Sequence, residues 1–310
     1  MRYLIAGAGV IGCYTAAMMK VRDFDVTLLA RGAKHERLQR DGVQLLEYLT
    51  DRRWSVNVPV VNDTCAESFD TVLVFVQAIH VDGILPVLER LPRAKRYAFM
   101  GNNTRGFERV GEALGRSRVL SGFGSAGGTW RDDLLVYVDA TTPEKQADPR
   151  LILGAPFAES IGEIDPLVSD LRAGRVDVTV YDPIQDWHLA HAAFIAGLAG
   201  AFRRCGNDLH RLADDRATLD LTLRATKQAF RGLRRSGHEI LPRSLRTFGA
   251  LPLFLIRPKV RTLLRSKFAE IGLAGHAETA HDEMQTIRDD VLELVSASGV
   301  RCDALRELAA

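Results

Sequence analysis

The first twelve residues constrain this chain most. Tyr3-Leu4-Ile5-Ala6 is a short apolar strand that runs into Gly7-Ala8-Gly9-Val10-Ile11-Gly12, and Cys13 to Lys20 continues as a helix. Strand, glycine turn and helix, in that order, form the setting of a dinucleotide-binding fingerprint. Gly7 permits the tight turn, Gly9 lets a pyrophosphate approach the backbone, and Gly12 lets helix and strand pack closely. The phosphates then lie at a helix N-terminus, where N–H groups without intrahelical acceptors, here from Val10 and Ile11, favour anions together with the helix dipole. Such a motif alone is also an ordinary glycine-rich turn, but its place between strand and helix favours the nucleotide reading.

The second strand indicates which nucleotide. Asp25 to Ala30 is largely apolar and ends where an NAD site places an acid on the ribose hydroxyls, about 20 residues past the glycines. Here Ala30 is followed by Arg31-Gly32. A guanidinium grips a 2′-phosphate with two parallel hydrogen bonds, whereas a carboxylate repels it. The expected cofactor is therefore NADP, selected by Arg31. Lys34, Arg37 and Arg40 add charge on the next segment, and each is at least as well explained as part of a solvated helix face.

A chain of 310 residues suits two domains of about 100–200 residues each. A net charge of +2 argues against nucleic acid or a membrane surface as partner. Cys13, Cys65, Cys205 and Cys302 lack CxxC spacing, so neither a disulfide framework nor a metal site is expected. The N-terminal apolar stretch belongs to the nucleotide motif rather than to a secretory signal. The longest nearly apolar run, Leu189 to Phe202, is too short to span a bilayer. The expectation is a cytoplasmic protein with a small-molecule substrate, and a homodimer is compatible with it.

Strand and helix patterns alternate through the first half. Thr71 to Val76 is a continuous apolar run, as expected of a strand buried on both faces of a parallel sheet. Trp54 to Val61 reads as an extra strand or hairpin arm, Val81 to Leu91 as a helix, and Arg96 to Met100 as a strand ending in Gly101-Asn102-Asn103. Val119 to Phe123, Leu134 to Val138, Leu151 to Gly154 and Val176 to Tyr181 read as further strands. From Pro183 the pattern turns helical, with Asp186 to Phe202 rich in alanine and glycine and Asp208 to Arg235 long and amphipathic. The fold class is α/β: an N-terminal Rossmann-type dinucleotide-binding domain over residues 1–182, then an all-α domain over 183–310 for substrate and dimerisation.

Several of these segments together resemble the ketopantoate reductase (2-dehydropantoate 2-reductase) family, over most of the chain. Gly7 to Gly12 and Leu29-Ala30-Arg31-Gly32 are similar to its cofactor motifs. Phe69 to Ala78 is similar to its third-strand motif, with Gln77 where the family commonly has lysine. Gly101-Asn102-Asn103 resembles its Gln-Asn-Gly turn, with Asn102 on the motif asparagine. Asp186-Trp187-His188-Leu189 resembles the segment that opens its helical domain and carries its catalytic lysine. The resemblance implies reduction of a branched 2-oxo acid by NADPH, with that lysine protonating the developing alkoxide and a late Ser and Glu holding substrate. Here the lysine position falls at His188 or Leu189, and the asparagines that follow fall among Ala192, Ala193 and Ala196. Gly299-Val300 resembles the family's late Gly-Val, which puts the substrate Glu near Glu283, with Ser266 the nearest candidate for the Ser. The implied protein is a divergent member that does not act on ketopantoate itself.

Hydride delivery to a carbonyl needs a proton donor with a pKa near the working pH, and histidine suits this with little tuning. His188 and His191, three apart, share a helix face, and either imidazole can replace the lysine. His188 is slightly favoured, with His191 as its neighbour, against an alternative in which one is buried and the other is on the surface. Asn102, ending a parallel strand, is placed to bond substrate or the nicotinamide ribose, unless it only caps a turn. His276, His281 and Glu283 form a second cluster, with a polar helix surface the simpler account of His281. The basic residues from Arg243 to Lys267 read as solvated. Two functions follow. One is an NADPH-dependent reductase of a small carbonyl compound; the other is a non-redox protein on the same fold, a cofactor-binding module or a cyclase or isomerase.

Overall fold

The protein is described by a computed structural model over residues 1–92, 94–124, 126–138, 150–274 and 280–309. Its strands are β1 (Arg2–Ala6), β2 (Asp25–Leu29), β3 (Val43–Glu47), β4 (Arg52–Val56), β5 (Val60–Val61), β6 (Thr71–Val74), β7 (Arg96–Met100), β8 (Val119–Gly124), β9 (Gly127–Arg131), β10 (Leu134–Val138), β11 (Arg150–Gly154) and β12 (Asp177–Val180). Eight of them form a sheet in the order β12-β11-β8-β7-β6-β1-β2-β5. Neighbours run parallel except β11, which is antiparallel to β8.

The connecting helices are α1 (Val10–Lys20), α2 (Gly32–Asp41), α3 (Val81–Arg90), α4 (Glu108–Leu114) and α5 (Ile164–Ala173). Side chains alternate across each strand, so the sheet feeds two cores. Tyr3, Ile5, Leu28 and Leu73 pack with Tyr14 and Ala17 of α1 and Leu167 and Leu171 of α5. Leu4, Ala6, Val72 and Val74 pack with Leu85 and Leu88 of α3 and Val110 and Leu114 of α4. Burial on both faces explains why these strands read as unbroken apolar runs.

Of a second sheet, in the order β4-β3-β10-β9, the sequence reading contains β10 and part of β4 but not β3, β9 or their assembly. Trp54 to Val61 is not one element. Arg52–Val56 pairs antiparallel with β3, setting Trp54 opposite Leu45, whereas Val60–Val61 joins the main sheet beside β2. The strand β9 escapes propensity because Gly127 and Gly128 lack a side chain to suggest a strand. Packing explains the second of them, since a Cβ on Gly128 would lie 2.8 Å from Val10 Cγ1.

The helices that follow are α6 (Ile184–Arg204), α7 (Leu209–Asp214), α8 (Arg216–Arg235), α9 (Arg243–Ala250), α10 (Leu253–Leu264), α11 (Lys267–Ala269) with a π-helical turn over Glu270–Ala274, α12 (His281–Ala297) and α13 (Asp303–Ala309). The long helix expected from Asp208 to Arg235 is two, because an aspartate caps each. Asp208 accepts from the N–H groups of His210 and Arg211 at 2.8 and 3.0 Å, and Asp215 from those of Ala217 and Thr218 at 3.0 and 3.1 Å. The alanines and glycines of α6 serve close approach, as their abundance suggested. A Cβ on Gly200 would stand 2.3 Å from the Leu308 carbonyl oxygen, and Ala190, Ala193 and Ala201 are fully buried.

The contacts cluster into two compact units, Met1–Gly101 with Gly106–Ile184, and Asn102–Arg105 with Gln185–Ala310. Among the described residues no helix is long and apolar enough to cross a membrane.

Candidate dinucleotide site and the histidine helix

The three motif glycines have different physical reasons to be glycine. Gly7 has φ +118°, and a Cβ there would lie 2.2 Å from the Phe75 carbonyl oxygen. On Gly12 a Cβ would lie 1.9 Å from the Gly7 carbonyl oxygen, so any side chain would force α1 off β1. Gly9 is unlike both: a Cβ there would meet nothing within 4 Å. It is exposed and sits at the N-cap of α1 with no side-chain cap. Packing within the protein therefore gives no reason for a glycine here, in contrast to Gly7 and Gly12. Val10 and Ile11 begin the helix, their side chains seated so closely that a Cβ on Gly128 or Gly124 would come within 2.8 or 2.7 Å of them. Their N–H groups belong to the helical turn that lacks intrahelical acceptors.

Arg31 follows the buried Ala30 and is the N-cap residue of α2, exposed and without an ion pair among the described residues. The three nearby cations are used otherwise. Arg37 is ion-paired with Asp133, and Arg40 bonds its neighbour Asp41 at 2.7 and 2.9 Å. Lys34 Nζ lies 4.4 Å from the centre of the Trp130 ring, with Arg37 Cζ at 5.0 Å from it. Burial holds the Lys34 ammonium below the usual lysine range. Gln77 is half-buried at the start of the 3₁₀ turn Ala78–His80 that leaves the β6 segment. Asn102, two residues past β7, is 9% exposed, and its Oδ1 has no hydrogen-bond partner among the described residues. A buried acceptor left this way costs about 1–3 kcal/mol unless a ligand supplies a donor.

The opening of α6 is held by a contact that sequence reading missed. Asp186, 7% exposed, takes His238 Nδ1 on one oxygen and the Glu239 N–H on the other, both at 2.8 Å. No spacing signal links residues 52 apart, so only the packing of α6 beside the end of α8 reveals the pair. His188 is 1% exposed, and burial, followed by the neighbouring His191 charge, pushes its pKa down to about 3. The lowered pKa weighs against His188 relative to His191 as a proton donor, because a ring with that pKa does not take up a second proton near pH 7. His191 is half-buried and stacks on Trp187, ring centres 5.0 Å apart and planes 8° from parallel, while His188 meets the same indole edge-on at 5.3 Å. Leu189, Ala192, Ala193 and Ala196 are all buried and bring no polar group to the helix.

Of the late candidates, Ser266, His281 and Glu283 lie within the described residues. Ser266 is spent on capping, accepting from the Ala269 N–H at 3.1 Å and donating to the Leu263 carbonyl at 2.6 Å. Glu283 is 2% exposed on α12, His281 faces solvent beside Gln285, and His276 lies outside the described residues. The basic stretch is largely paired, with Arg257 bidentate on Asp220 at 2.6 and 2.8 Å, and Arg261 and Arg265 on Asp214. Among the described residues no group of three or more His, Cys, Asp or Glu could hold a metal ion.

Residues 3–143 match the family model of ketopantoate reductase PanE/ApbA. Over this stretch the chain is similar to that family. The match takes in the motif glycines, Arg31, Gln77 and Asn102, and it ends before α6 begins. No curated protein matches the chain. Solved structures extend the likeness in fold to its whole length. A D-mandelate dehydrogenase in ternary complex with NADH and anilino(oxo)acetate has TM-score 0.77 and 13% identity, over 100% of this chain and 96% of that one. The 2-dehydropantoate 2-reductase from Geobacter metallireducens GS-15 has TM-score 0.77 and 15% identity, over 100% and 98%. A PanE/ApbA family ketopantoate reductase from Ralstonia eutropha JMP134 has TM-score 0.68 and 17% identity, over 100% and 96%.

Proposed function

We propose that this protein is an NADP-dependent reductase of a small carbonyl compound of the 2-oxo acid type, other than ketopantoate. The observation that carries the reading is Gly9, whose missing side chain opens onto empty space at the head of α1 while its two companion glycines are fixed by packing. A pyrophosphate held by the Val10 and Ile11 N–H groups accounts for that opening. Gln77, in the same unit as Gly9, carries an amide suited to the cofactor, and the Oδ1 of Asn102, buried and without a hydrogen-bond partner among the described residues, is suited to accept from a ligand donor. A protein of this fold holds NADH with an oxo-acid derivative, so the choice of nucleotide rests on residues particular to this chain. Arg31, exposed and unpaired among the described residues, is the one suited to a 2′-phosphate.

Bound NADPH supplies the hydride; the protein supplies position and a proton. We assign the proton to His191, because burial keeps His188 neutral. Stacking on Trp187 fixes the His191 ring plane. We also place the protein in the cytoplasm, in keeping with four free cysteines, three of them buried.

The test is turnover of NADPH against a panel of 2-oxo acids, aldehydes and imines. His191→Ala should slow turnover by roughly 10²–10⁴-fold with NADPH affinity unchanged. Full turnover in that variant removes the assignment. A wild type that binds NADPH yet oxidises it with no carbonyl or imine favours the non-redox reading, to which the neutral His188 and the apolar Ala192, Ala193 and Ala196 also lend weight.

A further inference from the structure

We infer that Trp130 is a positioning residue for cofactor selection, clamping the first two turns of α2 through Lys34 and Arg37 and so fixing Arg31 for a 2′-phosphate. The inference rests on the NADP reading above and adds to it the part that holds the selecting residue still.

Helix α2 is poorly anchored by its own sequence. Its N-cap residue, Arg31, makes no side-chain cap bond, and its first turn contains no acid to answer the dipole. The bond from the His35 N–H back to the Arg31 carbonyl is long, at 3.4 Å. Arg31 is exposed and makes no cap bond, so the placement of its backbone at the head of α2 sets the region its guanidinium can reach.

The anchor comes from the second sheet. Lys34 and Arg37 stand three apart on one face of α2, and both cations lie over the Trp130 ring, at 4.4 and 5.0 Å from its centre. Arg37 is in addition ion-paired with Asp133, in the turn after β9. The indole Nε1 has no hydrogen-bond partner among the described residues, so ring-face contacts and strand pairing hold Trp130. Its strand is fixed in turn: Trp130 pairs with Leu135 of β10, and two residues earlier Gly128 lies against Val10 at the head of α1. One short strand therefore touches the start of both helices that the cofactor phosphates would use, and sets one relative to the other.

Calorimetric titration of NADPH and NADH into the wild type, Arg31→Ala, Trp130→Ala and Trp130→Phe tests the clamp. The wild type should favour NADPH, and Arg31→Ala should lose that preference through at least a tenfold loss of NADPH affinity. Trp130→Ala should weaken NADPH about fivefold and NADH by less than about twofold. Trp130→Phe, which keeps an aromatic face for the two cations, should restore most of the preference. If Trp130→Ala leaves the ratio of the two affinities at the wild-type value, whether both fall or neither does, while Arg31→Ala removes the preference, the clamp is wrong and the NADP reading stands. If the wild type shows no preference, or Arg31→Ala weakens both cofactors equally, Arg31 does not select and the clamp falls with it.

Discussion

Gly9 and Gly12 stand three residues apart at the head of α1, and His188 and His191 stand three apart near the head of α6; each pair divides, for opposite reasons. The glycines differ by what surrounds their backbone, since a Cβ on Gly12 would strike the Gly7 carbonyl and one on Gly9 would strike nothing. The histidines differ by how far tertiary packing has covered each ring. In the N-terminal unit the difference lies in the main chain, and a motif locates it. In the helical unit it is decided by burial, which spacing does not report.

The sharpest way to break this comparison is at the glycines, where the expected effect is total. Gly9→Val should abolish dinucleotide binding while circular dichroism and the thermal transition stay as in the wild type. Gly12→Val should instead lower Tm steeply or prevent folding, because its first carbon already overlaps backbone. Equal behaviour of the two variants would mean that the opening at Gly9 is not a binding feature.

His188 carries the next largest effect. Its folded pKa of about 3 lies below the ordinary 6.5, so the unfolded chain binds a proton that the folded protein refuses. Stability from this group is therefore complete above pH 6.5 and declines as the pH falls towards 3, by about 1.4 kcal/mol per unit. His188→Leu should flatten that part of the stability–pH profile measured by denaturant titration. An unchanged slope would place the imidazole in contact with water and reopen the choice between the two histidines.

The smallest effect tests local against tertiary control inside the helical unit. Asp215→Ala removes the cap at the head of α8 and should cost about 0.5–2 kcal/mol. Hydrogen bonds from Thr218 hold the Asp215 carboxyl below its usual range, so the cap is present at neutral pH and is lost as the pH falls through that lowered value. A loss well above this range would show that the break between α7 and α8 also shapes the core beneath it.

Much of the first unit was legible because its signals are local. Gly7 must take a positive φ and Thr71–Val74 must be apolar on both sides, and each condition leaves a mark within a few residues. The assembly of the second sheet was not legible, since β3 and β10 pair across about ninety residues and Gly128 in β9 is explained only by Val10. The split at Asp215 was missed because an amphipathic period runs on through both helices and hides a capping aspartate. Of the basic residues after β2, the sequence singled out Arg31, but only the fold shows Lys34 and Arg37 engaged with Trp130 and Asp133.

The sequence by itself determined the dinucleotide motif, the buried parallel strands and the change to helices after Pro183, because turn geometry and hydrophobic period act between near neighbours. Tertiary structure alone decided that Gly9 opens onto empty space, that Asp186 is tied to His238, and that His188 is buried while His191 is only half-buried. Those properties depend on which distant segments exclude water from a side chain, and that is set only when the chain has packed.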